Sequence, residues 1–275
     1  MPEFLPPRAL IGMIHVRALP GSPFARHTPD AITQTAVGEA RTLAAAGFDA
    51  LLIENMHDRP YASAPHAPHT VALMTRIGLA VREATPKLPL GVQILSLGEK
   101  EALSVALACN ASFIRVENFV YAHVADEGLL GQAVAPSLLR YRREIGAERV
   151  RIFADIKKKH ASHALTADLT LADAAHAAAF FGADGLIVTG GFTGRAPEAA
   201  DVEACAGAVR LPVLLGSGVT PRNLPGLFRH ASGAIVGSSI KRGGVWSNAL
   251  DPARCRELVR ARDGISAAPG RRGKR

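Results

Sequence analysis

Asp155, Lys157, Lys159 and His160 close one apolar run, Val150-Arg151-Ile152-Phe153-Ala154-Asp155-Ile156-Lys157-Lys158-Lys159-His160. Its β-branched and aromatic residues predict a buried strand. Strand side chains alternate between two faces, so Asp155, Lys157 and Lys159 share one face if the strand continues that far. A carboxylate beside a lysine can abstract a proton next to a carbonyl, the ammonium stabilising the enolate oxygen. The plainer alternative is a strand fraying into a solvated charge run.

Other polar residues stand in similar places. His15 follows Ala9-Leu10-Ile11-Gly12-Met13-Ile14, Glu54 ends Asp49–Glu54, Gln93 lies in Leu90–Leu95, Glu117 ends Ser112–Glu117 and Thr189 ends Asp184–Thr189. Singly each has a structural reading: His15 as a satisfied core histidine, Glu54 and Glu117 as ion-pair partners of Lys157 or Arg115. An ionisable group inside a fold costs on the order of several kcal/mol unless it is paired or used. Together these strand ends therefore point to a site, with His15, Glu54, Glu117, Asp155 and Lys157 as candidate catalytic residues. Three chemistries fit the residue types: proton abstraction, a Schiff base on a lysine of depressed pKa, or a divalent metal held by carboxylates and His15. No His-Glu-x-x-His spacing is present, so no metal ligands are assigned, and a divalent metal cofactor stays open.

Two Gly-rich turns carry a second signal. Gly216-Ser217-Gly218 follows Pro212–Leu215, and Gly237-Ser238-Ser239 follows Gly233–Val236. Small residues let backbone N–H groups approach an oxyanion, so Gly216, Ser217, Gly218, Gly237, Ser238 and Ser239 are candidate phosphate-binding residues. Lys241 and Arg242 stand near enough in sequence to add a cation. Neither turn has the Gly-x4-Gly-Lys-Ser/Thr pattern of a Walker A loop.

The elements that must position these residues alternate. Eight predicted strands are separated by helices, the first running from about Pro29 to a stop at Gly47. Four helix-to-strand junctions resemble one another: Ala46-Gly47-Phe48-Asp49-Ala50, Cys109-Asn110-Ala111-Ser112, Phe181-Gly182-Ala183-Asp184-Gly185 and His230-Ala231-Ser232-Gly233-Ala234. The βαβα order predicts an α/β fold with parallel strands, and the repeated unit a closed (βα)8 TIM barrel; a doubly wound open sheet is the alternative. Residues 1–262 form the single predicted domain and 263–275 a basic, disordered tail. Loops after the first, second and fourth strands are long, and those after the sixth to eighth are Gly-rich. Barrel enzymes carry their sites on such loops.

Composition narrows the function classes. The 275 residues are 48% hydrophobic and 20% charged, enough for a sizeable core. No run approaches the roughly 18 apolar residues of a membrane span, and the N-terminus lacks signal-peptide features. Cys109, Cys205 and Cys255 are widely spaced, which predicts reduced structural thiols in a cytoplasmic protein. The net charge is +8, but Arg271, Arg272, Lys274 and Arg275 supply half of it, and aromatics are 5%. A small anionic partner is expected and sequence-specific nucleic-acid binding is not. A homo-oligomer stays open.

Several separated motifs fall in a known order: Gly12-Met13-Ile14-His15 with Leu19-Pro20-Gly21-Ser22-Pro23, Glu54-Asn55 with Asp58 and Pro60-Tyr61, Asp155–His160, Thr189-Gly190 with Gly194, and Gly237–Lys241 with Gly243-Gly244-Val245-Trp246. From about residue 8 to 260 the chain resembles the BtpA/SgcQ family. That resemblance implies a phosphate-binding TIM barrel like the ribulose-phosphate-binding barrels. One cyanobacterial branch is associated with photosystem I biogenesis or stability, and another accompanies sugar-metabolism genes. Two functions are thus implied: a lyase- or isomerase-like enzyme on a small phosphorylated, sugar-like metabolite, or a non-catalytic assembly factor. The resemblance assigns no residue roles.

Overall fold

Strands that are apolar along their whole length need cover on both faces, which helices outside a parallel sheet supply. In a computed structural model, which describes residues 2 and 4–265, the chain forms eleven strands: β1 (Ala9–His15), β2 (Ala50–Glu54), β3 (Leu90–Gln93), β4 (Phe113–Val116), β5 (His123–Ala125), β6 (Gly128–Leu130), β7 (Arg151–Ile156), β8 (Ala161–Ser162), β9 (Gly185–Val188), β10 (Val213–Leu215) and β11 (Gly233–Val236). Eight of them close a parallel barrel in the order β1-β11-β10-β9-β7-β4-β3-β2. The helices are α1 (Pro29–Ala46), α2 (Pro68–Ala84), α3 (Glu99–Ala108), α4 (Ala135–Glu144), α5 (Leu171–Phe180), α6 (Ala199–Ala208), α7 (Leu224–Leu227) and α8 (Pro252–Asp263). The predicted (βα)8 TIM barrel is the fold. The proposed domain edge at residue 262 falls one residue before the end of α8. Of the predicted tail, residues 266–275 lie outside the described residues.

Local signals explain the first unit. Thr28 caps α1 by accepting from the Ala31 amide, Pro29 fits the first turn, and Gly47 ends the helix at φ 95°. The junction aspartates then lock strand to strand. The Asp49 carboxylate accepts from the Leu10 amide at 2.8 Å and pairs with Arg262 of α8. Asp184 repeats the device, accepting from the Ile152 amide and from Arg142 of α4, each at 2.9 Å.

The lumen is filled from below by aromatic rings. Phe4 stacks on Phe113 at 6.0 Å, and Phe113 meets Phe153 edge-on at 5.4 Å. Gly91 and Gly185 make room, since a Cβ on either would lie 2.3 or 2.4 Å from the Phe113 or Phe153 ring. With that end plugged, the open end is the C-terminal rim. There His15 pairs in register with Glu54, and Glu54 with Gln93.

One segment departs from the sequence reading. The stretch after β4, predicted as a long loop, contains the β5–β6 hairpin, which pairs with β8 in a small antiparallel sheet. Strands of two and three residues are too short to show a period. The cysteines are free and buried. Among the described residues no helix is long and apolar enough to cross a membrane.

Candidate active site

The predicted acids gather at the rim of the barrel, but their partners differ from the predicted ones. Asp155 forms a two-pronged ion pair with Arg115 of β4, Nε to Oδ1 at 2.9 Å and Nη2 to Oδ2 at 2.7 Å, with both side chains buried. Burial works against the Arg115 charge, yet Asp155, Glu117 and Glu54 together hold its pKa above the ordinary value. Planar forks of this kind hold both groups rigidly.

Lys157 does not join this cluster. Strand β7 stops at Ile156 and Lys157 takes φ 49°, so the alternation that would align it with Asp155 ends there. Its ammonium donates instead to the Leu169 carbonyl at 2.6 Å and the Thr166 carbonyl at 3.5 Å. The next two lysines turn inward. Lys158 pairs with Glu117 at 3.0 Å and with Glu127 of the hairpin turn at 3.7 Å. Lys159 lines the hollow with Glu54 and Arg115, and among the described residues it makes no hydrogen bond or direct ion pair. Burial and the Arg115 charge lower its pKa, against the pull of Glu54, Glu117 and Asp155.

Glu54 and Glu117 are set apart by these neighbours. Burial raises Glu54 to about 7, Arg115 and Lys159 opposing and Glu117 and Asp155 adding. Burial works the same way on Glu117, but Lys158 and Arg115 outweigh it and hold that carboxyl at about 2. The Gln93 amide also donates to Glu117, at 3.1 Å. Glu117 is therefore a fixed anion, and Glu54 exchanges its proton near neutrality. The two carboxyls are thus driven apart by their neighbours.

His15 is held neutral, its pKa lowered to about 3 by burial and the nearby Lys241 charge. Its Nδ1 lies 3.0 Å from the Trp246 carbonyl, an acceptor only, so Nδ1 carries the proton. The Nε2 lone pair is left 3.9 Å from Glu54 Oε2.

The Gly-rich turns border the same hollow, which is lined by His15, Glu54, Arg115, Lys159, Gly216, Ser217, Gly218, Gly237 and Ser238. Among the described residues the amides of Ser217, Gly218, Ser238 and Ser239 donate to no carbonyl or side chain. The Gly216 amide is committed to the barrel, donating to the Val188 carbonyl at 2.8 Å. The glycines also have packing reasons. A Cβ on Gly218, which sits at φ 65°, would lie 2.1 Å from the Ala196 nitrogen, and one on Gly216 2.6 Å from Thr189 Cγ2. One on Gly237 would press on His15 at 3.1 Å. Lys241 does not face the turns, because its buried ammonium bonds Glu39 of α1 at 2.7 Å.

Above this hollow lies a wider chamber. Glu54, Met56, Lys159 and Thr193 line both, so the two adjoin. Arg59, Tyr61 and Trp246 line the upper part. Sequence reasoning assigned no role to Lys158, Arg59 or Trp246, gave Arg115 only as an ion-pair partner, and placed Lys159 on the face of Asp155 and Lys157 without choosing it. The run of three lysines was the hint, and a period of two does not separate Lys157 from Lys159.

The model of the BtpA family matches residues 7–264. The chain belongs to the BtpA family. A mitochondrial, uncharacterised protein of Caenorhabditis elegans is 42% identical over 255 residues, covering 91% of each chain. The photosystem I biogenesis protein BtpA of Synechocystis is 35% identical over 266 residues, covering 95% of this chain and 91% of that one. Solved structures share the fold at low identity. Thiamine phosphate pyrophosphorylase from Pyrococcus furiosus superposes with a TM-score of 0.59 at 14% identity, over 94% of this chain and 97% of that one. A geranylgeranylglyceryl phosphate synthase from Thermoplasma acidophilum, solved with sn-glycerol-1-phosphate, gives 0.56 at 14%, over 93% of each. This BtpA-family chain is thus a TIM barrel of the architecture found in those phosphate-compound enzymes.

Proposed function

We propose that the protein is an acid–base enzyme acting on a small phosphorylated carbonyl compound, with lyase- or isomerase-like chemistry. One observation carries this reading: Glu54, poised at about 7, shares a hollow with the unpaired ammonium of Lys159 and the unpaired amides of two turns. The amides of Ser217, Gly218, Ser238 and Ser239 bind the phosphate. The Glu54 carboxylate removes a proton from carbon next to the carbonyl, and the Lys159 ammonium holds the oxygen that becomes negative. Protonated Glu54 then returns the proton to a neighbouring position. Arg115, fixed by Asp155, and Glu117, fixed by Lys158, keep the charges around Glu54 constant during this exchange. The phosphate compounds named for the two solved barrels support the ligand class, since both share this architecture. Among the described residues no group of three or more His, Cys, Asp or Glu is placed to hold a metal ion.

The test is proton exchange. In D2O, the wild type should wash deuterium into the carbon next to the carbonyl of a phosphorylated aldose, ketose or keto acid that it binds. Glu54→Gln should abolish the exchange and retain binding. Absence of exchange in every phosphorylated carbonyl compound that binds would sink the proposal. The name of the Synechocystis relative favours a second reading, an assembly factor for a large complex. In that case Glu54→Gln would leave cellular function intact.

A further inference from the structure

The cavity lining carries a charge pattern that the proton-transfer reading does not use. Its buried acids sit against cations: Glu117 and Glu127 share Lys158, and Asp155 is forked to Arg115. Glu54 is protonated or ionised in turn near neutrality. On the cationic side, Lys159 at the floor and Arg59 in the upper chamber make no ion pair or hydrogen bond with a carboxylate among the described residues.

Arg59 is nonetheless held in place. Its guanidinium carbon lies 5.0 Å from the Trp246 ring centroid and 5.6 Å from that of Phe24. A cation–π contact engages the charge through the ring face and consumes no N–H donor. The side chain is thus positioned while its hydrogen-bonding edges remain open. That is the geometry for receiving a carboxylate or phosphate in a two-pronged bond. Because the two hollows adjoin at Glu54 and Lys159, a ligand seated at the turns can extend toward Arg59 with its reacting carbon between.

We propose that Arg59 binds a second acidic group at the far end of the ligand, so that the substrate is a phosphorylated metabolite carrying a carboxylate or a second phosphate. This inference rests on the phosphate reading of the Ser217–Gly218 and Ser238–Ser239 turns. Trp246 and Phe24 are positioning residues for Arg59.

Matched ligand pairs test it by calorimetric titration of the full-length protein. Glucose 6-phosphate against 6-phosphogluconate isolates the carboxylate, and fructose 6-phosphate against fructose 1,6-bisphosphate isolates the second phosphate. The wild type should favour one of the two doubly acidic members by roughly tenfold or more, the worth of a charge-assisted bond. The pair that shows the preference names the group. Arg59→Met keeps an unbranched stem against the rings and should bring the affinity ratio within each pair close to one. Trp246→Leu should reduce the ratio partway, because the guanidinium loses its seat. Equal affinity within both pairs in the wild type, or a preference that survives Arg59→Met, would overturn the proposal and leave the phosphate reading standing. If none of the four compounds nor inorganic phosphate binds, the phosphate reading fails and this inference fails with it.

Discussion

Two glutamates at one rim, one ending β2 and one just past β4, have opposite proton affinities: burial raises both, and Lys158 with Arg115 outweighs it at Glu117. Lys158 touches Glu117 at 3.0 Å, whereas Lys159 makes no such contact with Glu54. The consequence for stability can be signed. Glu54 moves from an ordinary 4.5 to about 7 on folding, so the folded state binds the extra proton between those values. Its burial therefore costs nothing below about pH 4.5, and the cost grows as pH rises, levelling off above 7. Glu54→Gln should be more stable than wild type by roughly 1–3 kcal/mol at pH 8 and equal to it near pH 4. Urea denaturation at both pH values checks this; a constant difference would mean that Glu54 does not titrate as stated. The lysines separate in the same way. Lys159→Met should abolish deuterium exchange with little change in melting temperature, whereas Lys157→Met should lower the melting temperature by loosening the Leu169 turn and retain exchange. The reverse pattern would restore the Asp155–Lys157 pairing that strand periodicity alone predicts. That pairing was misread because a period of two holds only while the backbone is extended, and it ends one residue before Lys157.

At the level of elements, the barrel depends on residues that its sequence shows only as small. Gly91 of β3 and Gly185 of β9 face the aromatic plug, where a Cβ would meet a buried ring rather than a movable chain end. Gly91→Ala should therefore destabilise by about 1–3 kcal/mol through overpacking. Calorimetric melting measures the loss, and an unchanged melting temperature would show that Phe113 can move aside. The small sheet adds a charge contact to its strand pairing. Glu127, in the turn between β5 and β6, reaches Lys158, and its Oε2 has no hydrogen bond. The helices and barrel strands were legible because their apolar runs are long and capped by Gly, Pro and Thr. The hairpin was not, because its hold on the barrel is a contact between residues distant in sequence.

At the scale of the whole molecule, a barrel must join its first and last units. Here β1 pairs with β11 from Ala9↔Gly233 to Gly12↔Val236, and Arg262 of α8 reaches back to Asp49. The repeating junctions made closure legible, but not the polar bond that seals it. Lys241, read from sequence as a cation near the phosphate turns, is 1% exposed and bonds Glu39 at 2.7 Å, with Glu39 Oε2 left unpartnered. This pair ties α1 to the segment between β11 and α8, two residues past Ser239. Removing one partner strands a buried charge, which typically costs about 3–5 kcal/mol, whereas replacing both with apolar groups of similar volume is often neutral or stabilising. Lys241→Met alone should thus unfold at markedly lower urea concentration, and Glu39→Leu with Lys241→Met should recover most of the loss. The double variant should also bind inorganic phosphate as the wild type does, since the donors in the turns are backbone amides. A double variant as unstable as the single one would mean that the ion pair itself, and not the relief of an unpaired Glu39, holds the seam. A stable double variant that no longer binds phosphate would place the Lys241 charge back in the anion site.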